Sequence, residues 1–148
     1  MNHILYIPMN VPSSKNSKQL VHVKSKKPPY KSRPLFIDSK TVQRYKKNTE
    51  MFYASRAVDF KKMVEGLPKP YYVTFKFIRD SRRRFDYINP AQTVQDLMVK
   101  YGWIDDDNAD EIVPVFLPYE TEKIRAGVEI GILTQDETWA IHKLLTSP

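Results

Sequence analysis

The sequence predicts an α+β fold, a single mixed β-sheet with helices packed against it. Three observations carry this. Strand-like and helix-like segments interleave along the chain in the order strand, basic insert, helix, strand, helix, strand, strand, helix. Tyr71–Ile78 alternates on a period of two, as a strand does. Asn89–Gly102 repeats its apolar residues on a helical period between a start signal and a stop signal. At 148 residues the chain is about one domain long, and it holds no internal repeat.

The elements follow in order. Ile4–Met9 reads as a first strand, with a turn at Val11–Ser14. Lys15–Arg33 is basic and contains Pro28-Pro29. It is either a hairpin with arms at Gln19–Val23 and Leu35–Ile37 or a mobile loop. Asp38 or Ser39 caps a helix from about Thr41, with Val42, Tyr45, Phe52, Ala57 and Phe60 as its buried positions. The helix is expected to break once before Gly66, Pro68 and Pro70 end it. In Tyr71–Ile78, Val73, Phe75 and Phe77 share one face. Asn89 is the expected cap of the next helix, with Pro90 first inside it and Gln92 closing a capping box. Ala91, Val94, Leu97, Met98 and Tyr101 are its stripe, and Gly102 stops it. Ile112–Leu117 and Lys123–Ile132 read as two strands joined by a turn near Pro118–Thr121, before a last helix over Gln135–Leu145 with Trp139, Ile141, Leu144 and Leu145 apolar.

Charge divides the chain. The net charge is +7. Residues 1–84 carry 20 Lys/Arg against 5 Asp/Glu, and residues 85–148 carry 4 against 12. A basic half suits a polyanion, because each phosphate it neutralises releases counterions. The acidic half repels DNA unless its carboxylates hold cations. There are no cysteines, so disulfides and thiolate zinc sites are excluded. Met1–Pro12 lacks the charged start and long apolar run of a signal peptide, and no segment reaches the roughly 18 apolar residues of a membrane helix. A soluble, cytoplasmic protein with no membrane partner is expected.

The chemistry-bearing residues cluster over Arg82–Asp110. Phosphodiester cleavage needs an activated water and charge relief at phosphorus, which magnesium-like ions supply from oxygen ligands. Asp86 precedes the helix from Asn89, and Asp105, Asp106, Asp107, Asp110 and Glu111 follow it. That helix spans about 20 Å. Its two ends meet at one site only if the acidic run folds back along it or a second subunit supplies one side. Arg82, Arg83 and Arg84 can hold phosphates beside Asp86. Lys15, Lys24, Lys26, Lys27, Lys31 and Arg33 make the insert a candidate backbone-binding arm. Trp103 and Tyr87 flank the site, and packing is the expected role of Trp103. His3, His22 and His142 have no ligand spacing, and Ser13 and Ser14 have no nucleophile pattern.

Arg82-Arg83-Arg84-Phe85-Asp86-Tyr87-Ile88-Asn89, followed by Gly102-Trp103-Ile104-Asp105-Asp106-Asp107, resembles the RusA family of Holliday-junction resolvases. That family carries an arginine run, Asp-x-Asp-Asn, a helix, then Gly and a paired Asp-Asp. The spacing agrees without a gap from Asp86 to Asp107, and Pro12-Ser13-Ser14-Lys15-Asn16 is similar to the family's Pro-Ser-x-Asn turn. The resemblance implies a single RusA-like domain over residues 1–148, with a basic insert at about 17–34 and an added helix at about 135–145. It implies a homodimeric endonuclease, dependent on Mg2+ or Mn2+, that resolves four-way DNA junctions in recombination and repair, in a bacterium or a phage. Asp86, Asp107 and Asp106 inherit the catalytic roles. The resemblance makes Asp86, Asp106 and Asp107 the expected metal ligands, and Asp110 of the acidic run is a candidate substitute for a missing carboxylate. Arg82–Arg84, Lys15 and Asn16 with the basic arm are the DNA contacts.

Two positions depart from the family. Its second motif Asp is Ile88 here, and its helical lysine is Gln92. They motivate an alternative, a catalytically impaired homologue that binds branched DNA without cutting it. An unrelated basic module is a third reading, which the Asp86–Asp107 spacing disfavours.

Overall fold

The computed structural model describes residues 3–13 and 18–148. Within them the chain is α+β. Its strands are β1 (Leu5–Pro8), β2 (Lys18–Lys24), β3 (Ser32–Asp38), β4 (Tyr71–Arg79), β5 (Ile112–Phe116), β6 (Glu120–Thr121) and β7 (Gly127–Ile132). Its helices are α1 (Lys40–Val64), α2 (Ile88–Lys100) and α3 (Gln135–Thr146). The main sheet is mixed, in the order β1-β7-β4-β5, with β6 also on β4. β5 and β6 run parallel to β4, while β7 runs antiparallel to both β4 and β1. β2 and β3 form a separate antiparallel hairpin.

Proline places the sheet's edges. Pro8 lies in β1 and Pro114 in β5, the two outer strands of that order, while β4 and β7 between them carry none. A proline inside the sheet would remove a ladder hydrogen bond. The alternation expected of β4 is present, with Val73, Phe75 and Phe77 fully buried. These side chains share one core with Leu5, Ile7, Val128 and Ile130, and with residues of α1 and α2.

Helix α1 runs unbroken over 25 residues, where a break was expected. Ser39 is its cap, its hydroxyl accepting from the Val42 N–H at 3.4 Å. The buried stripe is Val42, Tyr45, Thr49, Tyr53, Phe60 and Val64. These positions sit three, four or seven apart, so one continuous face covers the core and no break is needed. Phe52, expected inside, is 38% exposed, and its neighbour Tyr53 takes the core place. There the Tyr53 hydroxyl lies 2.9 Å from that of Tyr45, which lets both polar ends be buried.

Helix α2 begins at Ile88 rather than at Asn89, and no side chain caps it. The expected Asn89–Gln92 capping box is therefore absent. The Asn89 N–H is taken by the Asp86 carbonyl at 3.1 Å, which tightens the first turn and moves the start upstream. The stop is as expected. Gly102 has φ +75°. Its N–H reaches the Val99 carbonyl and that of Trp103 the Met98 carbonyl, satisfying the last turn. This reversal turns Trp103 back into the core at 3% exposure. The Trp103 indole N–H donates to the Tyr53 carbonyl at 2.7 Å and joins α1 to the end of α2.

The last two long strands are not neighbours. β5 lies on one side of β4 and β7 on the other, with only the short β6 in the stretch expected to be a turn.

Candidate nucleic-acid interface

The site forms where the turn after β1 meets the loop from β4 to α2. β1 ends at Pro8, and Met9, with a φ of 81°, then turns the chain sharply. Three hydrogen bonds then fasten residues 10–12 to partners some seventy positions away. The Asp80 N–H donates to Asn10 Oδ1 at 3.2 Å, Arg79 Nη1 to the Val11 carbonyl at 2.8 Å, and Thr93 Oγ1 to the Pro12 carbonyl at 3.0 Å. Residues 10–12 are thereby held against the end of β4, the start of the arginine loop and the first half of α2. Lys15 and Asn16 lie outside the described residues.

An aromatic cluster supports the loop from below. Phe85 and Tyr87 point inward onto Phe77, Phe116 and Tyr119, with Phe85–Tyr119 centroids 5.0 Å apart and Tyr87–Phe116 stacked at 5.4 Å. The Arg79 guanidinium lies 4.4 Å over the Phe85 ring. The Tyr87 hydroxyl accepts from the Tyr119 N–H at 3.1 Å. Because residues 85 and 87 face in, Asp86 and Ile88 face out. Arg82, Arg83 and Arg84 are exposed beside them.

From there an exposed stripe runs along α2 through Ile88, Gln92 and Asp96, each four residues on from the last. Both positions that depart from the RusA pattern lie on it. Ile88 is 69% exposed, so an apolar side chain faces solvent where the pattern has an acid. Asp96 was not among the residues expected at the site. Its carboxyl is held above the ordinary range, first by partial loss of hydration and next by the negative charge of Asp107, with Asp38 adding to the effect and Lys46 and Lys18 opposing it. The charge of the acidic run is thus felt on α2 at Asp96. From Asp96 to the level of Asp86 is about 15 Å along the helix. The signal that could have found Asp96 is its i+4 and i+8 relation to Gln92 and Ile88.

Within the acidic run the carboxylates do different things. Asp106 accepts from the Asp107 N–H at 2.8 Å and from Asn108 Nδ2 at 2.9 Å. Those two bonds hold its carboxyl below the ordinary range and shape the loop. Lys69 bridges Asp105 at 3.2 Å and Glu111 at 2.7 Å. Asp107 and Asp110 are exposed. Among the described residues, no three His, Asp or Glu side chains are grouped so as to hold a metal ion. One chain thus does not assemble three of Asp86, Asp106, Asp107 and Asp110. As placed in one chain, they offer a magnesium ion no more than pairs of carboxylates.

The insert is a hairpin, the first of the two expected forms. Leu20 pairs with Phe36 and Val21 with Leu35 across it. Lys24, Lys26, Lys27, Lys31 and Arg33 are all exposed along it. The root of the arm is fixed to α1 by the Lys46–Asp38 ion pair at 2.7 Å, and both of its charges act on Asp96. Trp103 packs in the core, in the role expected of it.

No protein-family model matches the chain, and no curated protein matches it in sequence. Among solved structures, the periplasmic domain of Helicobacter pylori MotB is 16% identical over 96% of this chain and 99% of that chain, with a TM-score of 0.38. A likeness of that size is too low for any conclusion about this chain. Among the described residues, no helix is long and apolar enough to cross a membrane.

Proposed function

We propose that this chain binds branched DNA, and four-way junctions in particular, through the surface that joins the arginine loop, the exposed stripe of α2 and the basic hairpin. The observation that carries this reading is the fastening of residues 10–12 by three hydrogen bonds, to Arg79 and Asp80 where the arginine loop begins and to Thr93 in α2. Pro12, the first residue of one segment that resembles RusA, is thereby joined to Thr93, which lies between the motif residues of the other. Arg82–Arg84 supply phosphate contacts there, and the arm supplies more from the side. Ile88, exposed between the arginines and Gln92, offers an apolar contact to bases unstacked at the branch. Such a protein works where the DNA is, in the cytoplasm of a bacterium or an infected cell. A homodimer suits a junction with two equivalent strand pairs.

Strand cutting is the second reading, favoured by the ungapped Asp86–Asp107 spacing and by the charge of Asp107 acting on Asp96. It requires carboxylates beyond those that one chain groups together.

The test is a synthetic four-way junction against a linear duplex of the same sequence, in EDTA and in Mg2+ or Mn2+. Tighter binding to the junction in EDTA is expected, with a large loss in the Arg82→Ala/Arg83→Ala/Arg84→Ala variant. Equal affinity for the two DNAs would reject junction recognition. Metal-dependent cleavage that disappears in Asp107→Asn would establish cutting, and intact DNA under every metal condition would remove it.

A further inference from the structure

The basic hairpin stands free of the core. Among the described residues, no side chain of β2 or β3 belongs to the core or packs against it. The two faces of the hairpin are not alike. Side chains alternate along a strand, so Val21 and Ile37 fall on one face, and Leu20, His22, Lys24, Pro34 and Phe36 on the other. Val21 and Ile37 are half-buried, whereas the five on the other face are all exposed. On that open face Leu20 and Phe36 stand directly opposite each other, 53% and 69% exposed. Single apolar residues on a surface are ordinary, but a paired Leu and Phe on a bare strand face marks a contact surface. The tip of the arm is closed: the Ser25 N–H donates to the Lys31 carbonyl at 3.0 Å, and the Ser25 hydroxyl to the Lys27 carbonyl at 2.9 Å. Tyr30 in that tip is the arm's other ring, 68% exposed. From Lys18 to Ile37 the arm carries six Lys/Arg and no Asp or Glu. Asp38, at its end, is bound by Lys46.

We infer that this open face is a stacking platform for the unpaired bases of single-stranded DNA, with the Phe36 ring as its floor, Leu20 beside it and the cations of the arm on the phosphates. Charge selects the class of partner. A stretch with six cations and no acid takes a polyanion. The ring then selects among polyanions. A duplex presents its phosphates but keeps its base faces stacked on one another. A single strand presents both, and every base has a face to stack. Phe36 supplies the ring for that contact, and Lys24 a cation on the same face of the ribbon. Stacking of this kind reads no sequence, so the platform takes unpaired bases of any identity. The inference rests on the arm's binding DNA, as the junction reading does, but it requires no branch.

The test compares two unbranched probes in EDTA at one salt concentration, by fluorescence anisotropy with the whole chain. One is a thymidine oligomer of about 12 nucleotides, within the site size of a small stacking platform. The other is an oligomer of the same length with abasic sites throughout, which keeps the phosphates and removes the bases. The wild type is expected to bind the thymidine oligomer roughly tenfold more tightly, the worth of a stacked base. Phe36→Leu keeps an apolar partner for Leu20 and loses the ring. It should bind both oligomers as the wild type binds the abasic one, while Phe36→Tyr keeps the preference. The slope of log affinity against log salt should be the same in all three chains, because no charge is removed. A wild type that binds the two oligomers equally overturns the inference. So does a Phe36→Leu chain that keeps the full preference. A Phe36→Leu chain weakened equally on both probes overturns it too, since the ring then only holds the hairpin in shape. Junction recognition stands or falls separately, because neither probe has a branch.

Discussion

Asp96 ionises against its surroundings. Partial loss of hydration and the charge of Asp107 both raise its pKa, so its protonated form is favoured in the folded chain relative to the unfolded one. For an acid shifted in this direction the penalty is absent below both pKa values, appears as pH rises through the acid range, and is complete at neutrality. Asp96→Asn is therefore expected to raise the melting temperature at neutral pH, by no more than about 0.5 kcal/mol in stability once solvent screening is allowed for. The advantage should disappear near pH ~3, where both states of the wild-type residue are largely protonated. Thermal melts across that range test it, and an advantage independent of pH would mean that the charge of Asp96 is not the cause. Trp103 is a different case, because it fills space and also donates a buried hydrogen bond to Tyr53. Trp103→Ala should cost about 3–5 kcal/mol by urea denaturation. Trp103→Phe should cost roughly 1–2 kcal/mol, the share that belongs to the missing bond and the smaller ring.

At the scale of elements, Gly127 sets how closely β1 approaches β7. A Cβ at this position would meet the Ile7 carbonyl and the Tyr6 ring, so β1 must shift to admit one. Gly127→Ala is expected to destabilise the fold by about 1–3 kcal/mol, with amide exchange quickening first along Leu5–Pro8. Uniform quickening across the sheet would show that β1 does not open independently. β4 was legible in the sequence because Val73, Phe75 and Phe77 alternate with polar residues, a pattern set by the strand alone. The separation of β5 from β7 was not legible. Which side of β4 each strand takes depends on α2 crossing over to a parallel neighbour, and no period within Ile112–Phe116 or Gly127–Ile132 records that. The Phe52 and Tyr53 exchange was equally hidden. Either ring fits an apolar stripe, and the choice turned on Tyr45 lying where it can satisfy a second buried hydroxyl. At the site, the motif residues were readable from their spacing. Asp96 was not, since it lies outside the motif and feels the charge of Asp107 only in the folded chain.

Across the whole molecule, charge and architecture separate together. The basic arm is a sheet of its own, attached by β3 to the start of α1, while the core is built from the main sheet with α1 and α2. The five exposed cations Lys24, Lys26, Lys27, Lys31 and Arg33 can thus be removed without touching that core. Replacing all five by Gln is expected to leave the melting temperature nearly unchanged, because surface substitutions away from core packing usually alter stability by no more than about 0.5 kcal/mol. If the arm lies along phosphates, the slope of log affinity for the junction against log salt becomes shallower by up to about 4.5, near 0.9 for each phosphate no longer neutralised. If instead the arm only hangs beside the DNA, the slope stays where Arg82–Arg84 set it. A salt titration of the Gln variant beside one of the triple Arg variant separates the two contributions. The two reductions should add, because the arm and the loop are distinct elements touching different phosphates. A slope that falls in the loop variant alone would confine DNA binding to the surface around α2.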